Sequence, residues 1–169
     1  REKAPLYWAR LQNGYGMAIQ VVSFMKKDDK LMDEAANAFR RALEVRTKEA
    51  NAEDWADSQS QLAAVLSAMS TSRGDHKLAD EAIDAYQAAL EVYTREKYPV
   101  EFLSATSSLA TALQGKGILK QDDKILQQAE AMFGAVLDAT SRDKTPADWA
   151  NAVKNVATGT RRTPFTDAS

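Results

Sequence analysis

The sequence predicts an all-α fold, a solenoid of three antiparallel helix pairs followed by a C-terminal capping helix. Three observations support this prediction: an ungapped repeat of 47 residues, apolar residues at intervals of three and four, and polar or Pro-marked corners between the apolar segments. Self-similarity at such a period is typical of repeat architectures, in which each unit buries its apolar face against its neighbours.

The repeat is visible as columns of similar residues at a constant offset of 47. One column is aromatic, and another is basic and is followed by an acid. A third column, in the loop between the two halves of each unit, is Asp, with Lys two residues later. The second half of each unit repeats Ala, an aromatic residue and Leu. The columns are Trp8, Trp55, Phe102 and Trp149; Arg1, Lys48, Arg95 and Arg142; Asp28, Asp75 and Asp122; Ala35, Ala82 and Ala129; Phe39, Tyr86 and Phe133; Leu43, Leu90 and Leu137. The units are therefore residues 1–47, 48–94 and 95–141.

In the first unit, a helix is predicted over residues 5–25, because Pro5 suits a first helical position and an apolar stripe follows it. The stripe consists of Trp8, Leu11, Tyr15, Ile19 and Val22. Asp28 or Asp29 is expected to cap a second helix over residues 30–47. The alanines of that helix allow close helix packing.

The later units repeat this plan. We expect Asn51 to cap the third helix, and we expect the fourth helix over residues 78–94. The fifth helix begins at Pro99, and Gly115 and Gly117 should end it earlier than its equivalents because Gly is a poor helix former. A sixth helix covers residues 125–141.

The C-terminal segment contains the cap pair Thr145 and Pro146, which predicts a helix over residues 146–158 that covers the last full unit. Residues 161–169 have turn formers and no period, and we expect a flexible tail there. Because Arg1 lies inside a repeat motif, we expect the chain to be a fragment of a longer array.

Composition restricts the function. The net charge of −2 comes from 22 basic and 24 acidic residues that alternate along the chain, which argues against nucleic acid or an anionic membrane as a partner. The absence of cysteine excludes disulfides and thiolate metal sites. No stretch approaches the roughly 18 apolar residues of a membrane span, and no targeting signal is present, so a cytoplasmic location is expected.

Several local patterns suggest chemistry, but each has a simpler interpretation. His76 lacks partners at the spacing of a metal site or a catalytic triad. The tripeptide Arg73-Gly74-Asp75 and the acidic loops are better explained by helix capping than by adhesion or calcium binding. The aromatic column suits packing between units better than stacking on sugars or bases. We therefore predict no catalytic residue, no metal and no cofactor.

The columns resemble the tetratricopeptide repeat, in which the first helix carries Trp, Leu-Gly and Tyr positions and the second carries Ala, an aromatic residue and Ala. The matching second-helix residues are Ala35, Phe39 and Ala42; Ala82, Tyr86 and Ala89; Ala129, Phe133 and Val136. The unit is longer than the family's roughly 34 residues, and Thr47, Thr94 and Ser141 stand where Pro is common. It is similar to a long bacterial variant with the signature R-x-x-x-P-x-x-W-A, found here from Arg1 to Ala9 and from Arg142 to Ala150.

The resemblance implies a right-handed alpha-alpha superhelix, with the first helix of each pair lining a concave groove that holds a peptide or a helix of a partner protein. The groove residues would be Arg10, Asn13, Met17, Gln20, Asp57, Ser60, Ser67, Ser104, Ser107, Thr111, Gln114, Asn151 and Lys154. Family members that clamp a C-terminal carboxylate use basic and Asn side chains. The only suitable residues here, Arg10, Asn13 and Lys154, lie too far apart in the array.

The function predicted from the sequence is a non-catalytic protein-binding scaffold. Two alternatives stay open. The chain could be the regulatory or substrate-recognition segment of a larger enzyme or signalling protein, or it could be a scaffold that forms homo-oligomers through apolar residues near Tyr7 and Leu11.

Overall fold

The computed structural model describes residues 4–140 and residue 154. This part of the chain forms helices and no strand, which confirms the all-α class. The six helices are α1 (Pro5–Lys26), α2 (Asp29–Leu43), α3 (Lys48–Arg73), α4 (His76–Leu90), α5 (Pro99–Lys120) and α6 (Asp123–Ala139). The predicted capping helix and tail lie outside the described residues, except that Lys154 is helical.

The second helix of each unit begins at the Asp predicted to cap it. Asp28 Oδ1 accepts hydrogen bonds from the backbone N–H groups of Lys30 at 2.9 Å and Leu31 at 3.3 Å. Asp122 likewise accepts from Lys124 and Ile125, and Asp75 accepts from Lys77. The first amides of a helix have no partner within it, so these carboxylates satisfy otherwise unpaired donors.

The residue before each capping Asp adopts a left-handed backbone conformation. The φ angles are 52° at Lys27, 65° at Gly74 and 52° at Gln121, and these residues are 47 apart. Each donates its N–H to a carbonyl of the preceding helix, for example Lys27 to Ser23. The same turn therefore closes all three first helices, although only one unit has the glycine that this conformation favours.

Another backbone conformation is shared by the residues that precede Pro5, Ala52 and Pro99, and the last two of these positions lie at junctions between units. Ala4, Asn51 and Tyr98 have φ and ψ of −153° and 69°, −148° and 61°, and −135° and 65°. In the second unit a helical turn capped by Thr47 precedes the junction, so α3 begins at Lys48 and is interrupted at Asn51. The Oδ1 of Asn51 is buried and accepts no hydrogen bond, so Asn51 is not the side-chain cap that we predicted.

Three predicted helix ends are wrong. The fifth helix does not end early, because α5 runs to Lys120, the equivalent of Lys26 at the end of α1. Gly117 permits this: a Cβ there would lie 2.8 Å from the Leu126 side chain, so glycine allows α6 to approach. Conversely, α2 and α4 end at Leu43 and Leu90, before the predicted residues 47 and 94.

Each helix packs mainly against its neighbours along the chain, and α3 also contacts α5, as α1 contacts α3. One apolar cluster joins α2, α3 and α4 around Phe39 and Leu66, and a second joins α3 to α6 around Leu113 and Phe133. The buried alanines Ala35, Ala82 and Ala129 lie in these clusters, as expected for close helix packing. Trp55 packs against a third cluster, which supports the packing interpretation of the aromatic column.

The predicted inward stripe of α1 is wrong in part, because Leu11, Tyr15 and Val22 are exposed. α1 instead buries small or polar residues, namely Ala9, Asn13, Gly16 and Ser23. The repeat explains the difference. The equivalents of Tyr15 and Val22 in the next unit are Leu62 and Met69, which are buried in a cluster that includes α2, the helix before them. Within the described residues, no helix precedes α1 to cover its equivalent face.

Candidate functional site

A groove runs between α3 and α5, and we call it the α3–α5 groove. It contains two cavities, of about 330 Å³ and about 550 Å³, that share the lining residues Ala64, Tyr86 and Ser108. The first is lined by Asp57, Ser60, Gln61, Ala64, Tyr86, Tyr93, Val100, Glu101, Ser104, Ala105 and Ser108. The second is lined by Ala64, Ser67, Ala68, Thr71, Ser72, Tyr86, Ser108 and Thr111.

Small side chains leave this space open. Ser60 and Ala64 occupy columns that in the first unit hold the larger Asn13 and Met17. Ser104 and Ser108 face them from α5. The space between the second and third units therefore contains less side-chain volume than the equivalent space one repeat earlier, and hydroxyl groups line it.

The equivalent space between α1 and α3 is filled by a polar network around Arg46, which is only 4% exposed. Its Nη1 donates to Ser58 Oγ at 2.8 Å and to the Asp54 carbonyl at 3.1 Å. Ser58 Oγ donates to Asn13 Oδ1 at 3.0 Å, and Asn13 Nδ2 donates to Asp57 Oδ2 at 3.1 Å. The network joins α1 to α3 through charge-assisted hydrogen bonds, which are stronger than neutral ones.

Two tyrosines lie at the base of the α3–α5 groove. Tyr86 is 5% exposed, and burial raises the pKa of its phenol to about 12, an effect that a hydrogen bond with Ser108 reduces. Tyr93 is 7% exposed and stands in the column of Arg46. Burial, followed by the charges of Asp57, Glu101 and Glu53, raises the pKa of Tyr93 well above its usual value. Both phenols therefore stay neutral at physiological pH.

The predicted groove residues do not all lie together. Asp57, Ser60 and Ser104 line the first cavity, and Ser67 and Thr111 line the second. Ser107 and Gln114 are half-buried on α5, whereas Arg10 and Met17 are exposed and Gln20 is half-buried on α1. Lys154 is exposed, and Asn151 lies outside the described residues.

Asn13 departs from the prediction that it faces an open groove. It is 6% exposed, because both ends of its amide group bind α3 through Ser58 and Asp57. A periodic pattern places a residue on a face of its helix. It does not show whether that face is open or already filled by a side chain from the next unit.

The residues at the base and rim of the first cavity, chiefly Tyr86, Tyr93 and Glu101, were not predicted from the sequence. Tyr86 was assigned to the apolar column that contains Phe39. Tyr93 belongs to a column with Arg46 and Thr140 that is buried and polar in all three units. Repeated polar residues just beyond the second helix were the available signal.

The patterns considered for chemistry have structural roles. Arg73 pairs with Asp33 at 3.0 Å, Gly74 forms the left-handed turn, and Asp75 caps α4, so each member of the tripeptide maintains the loop. His76 is exposed at the first position of α4. Among the described residues, no group of three His, Asp or Glu side chains is arranged to hold a metal ion. None of the six helices has the length and apolar content needed to cross a bilayer.

In comparisons with known proteins, no family model, no curated protein and no solved structure matches the chain.

Proposed function

We propose that this chain is a non-catalytic interaction module, a superhelical array of the tetratricopeptide type that binds an extended peptide or a helix of a partner protein in the α3–α5 groove. The observation that carries the proposal is the groove itself. Its two adjoining cavities run along α3 and α5, and both are lined by hydroxyl groups and small apolar side chains.

The chemistry of the groove suits a peptide. Ser60, Ser104 and Ser108 offer donors and acceptors for a peptide backbone, and Ala64 with Ala105 offers shallow apolar contacts. Ser60 Oγ is buried and makes no hydrogen bond. An unpaired buried hydroxyl costs free energy, and a ligand that supplies the missing partner recovers it.

The proposal is tested by panning a displayed library of random peptides against the chain. Recovered peptides are then measured against Ser104→Trp and Thr111→Trp, which fill one cavity each from exposed positions on α5. The matched control is Gln87→Trp, because Gln87 is exposed on α4 and lines neither cavity. We expect at least tenfold weaker binding for the groove variants and unchanged binding for the control.

Two results would contradict the proposal. One is that panning recovers no peptide that binds the chain. The other is that recovered peptides bind Ser104→Trp and Thr111→Trp as well as they bind the unmodified chain. Circular dichroism of each variant checks that the helices are retained.

The exposed apolar face of α1 supports a second candidate, self-association. Leu6, Tyr7 and Leu11 are more than half exposed, as are Val21 and Met25. A second copy presents the same face, so a two-fold contact between two α1 helices would bury it on both chains.

Sedimentation analysis at micromolar concentration tests this candidate. We expect a monomer–dimer equilibrium that Leu11→Glu shifts towards monomer and that the control Gln87→Glu leaves unchanged. A chain that remains monomeric at all accessible concentrations removes the candidate.

A further inference from the structure

The geometry points to an arginine side chain of the partner peptide as the group bound in the first cavity of the α3–α5 groove, between Tyr93, Asp57 and Glu101. This inference rests on the proposed function and names the chemistry that the groove selects.

The charge of the cavity lining favours a cation. The cavity is lined by two carboxylates, Asp57 and Glu101, and by no Lys, Arg or His. Glu101 forms no ion pair with any residue in the described part of the chain. Asp57 already interacts with Asn13 and, at 3.9 Å, with Arg46, but its carboxylate remains partly exposed. A cavity walled by low-dielectric protein concentrates this negative potential, which favours a cationic guest.

The chain itself contains an arginine bound in the equivalent space. One repeat earlier, the Arg46 guanidinium lies between α1 and α3, bound to Ser58 and to the carbonyl and carboxylate of Asp54. The third-unit equivalent of Asp54 is Glu101, so the acid is kept. The equivalent of Arg46 is Tyr93, so the cation is absent. The second space therefore keeps the acid but lacks the guanidinium, and Ala105 and Ser104 stand there in the columns of Ser58 and Asp57.

The hydroxyl groups of the lining also suit a guanidinium. Tyr93 is more than nine-tenths buried and lines the cavity. Ser60 also lines the cavity, and its Oγ is buried without a hydrogen-bond partner. Both hydroxyls can accept hydrogen bonds, and guanidinium has five N–H donors arranged in a plane. A guanidinium in the cavity can donate to the Tyr93 hydroxyl and to the Glu101 carboxylate, both of which belong to residues that line it.

Arginine is favoured over lysine for two reasons. A guanidinium binds several acceptors in fixed directions, whereas an ammonium is a compact and strongly hydrated charge. The planar group can also stack on an aromatic ring, and the cavity has Tyr86 and Tyr93 in its lining. A volume of about 330 Å³ is ample for one such side chain.

The test uses N-acetylarginine amide as the probe and N-acetylcitrulline amide as its neutral counterpart of nearly equal shape. Each is titrated into the isotopically labelled chain, and amide chemical shifts are followed by NMR. We expect saturable shifts for residues 57–64, 86–93 and 100–108 with the arginine probe. Citrulline should bind at least tenfold more weakly, because a charged hydrogen bond contributes more than a neutral one.

Three variants locate the site. Glu101→Gln should weaken the arginine probe by about five- to tenfold, and Tyr93→Phe should weaken it by a smaller factor. Glu130→Gln removes the same charge from an exposed position on α6 and should change nothing. The spectra themselves report whether each variant is folded.

Two results would overturn the inference: equal binding of the arginine and citrulline probes, or shifts that Glu101→Gln does not affect. These are distinguishable from failure of the proposed function. If panned peptides bind the groove but tolerate replacement of every arginine by citrulline, the groove remains a peptide site and only its selectivity for arginine is wrong. If no peptide binds the groove, the proposed function itself fails.

Discussion

Two glycines of α1, two residues apart, have opposite structural roles. A Cβ at Gly16 would lie 2.8 Å from Phe39 Cε1, and Phe39 is fully buried, so the ring cannot move aside freely. A Cβ at Gly14 would meet no atom within 4 Å. Gly16 is therefore required by packing between α1 and α2, whereas Gly14 is not.

We expect Gly16→Ala to destabilise the protein by about 1 to 3 kcal/mol through overpacking. Gly14→Ala should stabilise it by about 0.5 to 1 kcal/mol, because alanine loses less backbone freedom on helix formation. Urea unfolding followed by circular dichroism measures both. Equal effects of the two substitutions would show that the contact with Phe39 does not limit the approach of the helices.

The buried phenol of Tyr86 makes stability depend on pH in the alkaline range. Below pH 10 both the folded and the unfolded state hold the proton, so this group adds no pH dependence. Between pH 10 and about 12 the unfolded phenol ionises while the folded one does not, so the free energy of unfolding falls. The expected loss is about 2 to 3 kcal/mol by pH 12.

Comparing the chain with Tyr86→Phe isolates this contribution, since lysines and other tyrosines titrate in both proteins. The unfolding free energy of the unmodified chain minus that of Tyr86→Phe should decrease as the pH rises from 10 to 12. A difference that stays constant would mean that Tyr86 ionises as easily in the folded state as in the unfolded chain.

At the scale of the elements, the left-handed turn before each second helix is the same in all three units, but its residue is not. Gly74 adopts it without steric cost, whereas Lys27 and Gln121 hold a Cβ there. A left-handed conformation costs a non-glycine residue about 1 to 2 kcal/mol. Glycine avoids this cost but loses more backbone entropy on folding, which offsets part of its advantage.

Gln121→Gly should therefore raise the unfolding free energy by about 0.5 to 1 kcal/mol, and Gly74→Ala should lower it by a similar amount. Thermal unfolding of the two variants, with the exposed Gln127→Gly on α6 as a control that should destabilise, measures the signs. A stabilising Gly74→Ala would contradict this account of the turn.

How much of the fold could be predicted depends on the range of the interaction involved. The Asp caps and the Pro5 and Pro99 helix starts follow from bonds within a few residues, and they were predicted correctly. The end of α5 was not, because Gly117 is retained for the close approach of Leu126, a contact between helices. The residues that α1 buries depend on which neighbours cover it, and local periodicity holds no such information.

The site was predictable to a similar extent. Asp57, Ser60 and Ser104, which the helical period assigned to one face, all line the first cavity, because a helical period fixes direction. The role of Asn13 was wrong and those of Tyr93 and Glu101 were missed, because they depend on whether a long side chain such as Arg46 fills the space between units.

Across the whole molecule, stability is expected to be uneven. α1 buries mainly small side chains and exposes its large apolar ones, whereas α3 contributes to all three apolar clusters. Local opening requires less free energy where fewer apolar contacts are lost.

Native-state hydrogen exchange should therefore show that α1 amides exchange through low-energy local openings and that central α3 amides exchange only on global unfolding. Exchange in increasing urea measures the two opening free energies. Equal protection of α1 and α3 would indicate that the described helices unfold as one cooperative unit.

The shared backbone conformation at Ala4, Asn51 and Tyr98 bears on how such a chain can be lengthened. Three unrelated side chains adopt nearly the same φ and ψ at this position. The backbone direction at the start of a unit therefore does not depend on which residue stands there. A duplicate of residues 51–97 inserted after residue 97 would have the same backbone conformation at both of its connections. Gene duplication, or an engineer, could therefore add units one at a time without redesigning the connections.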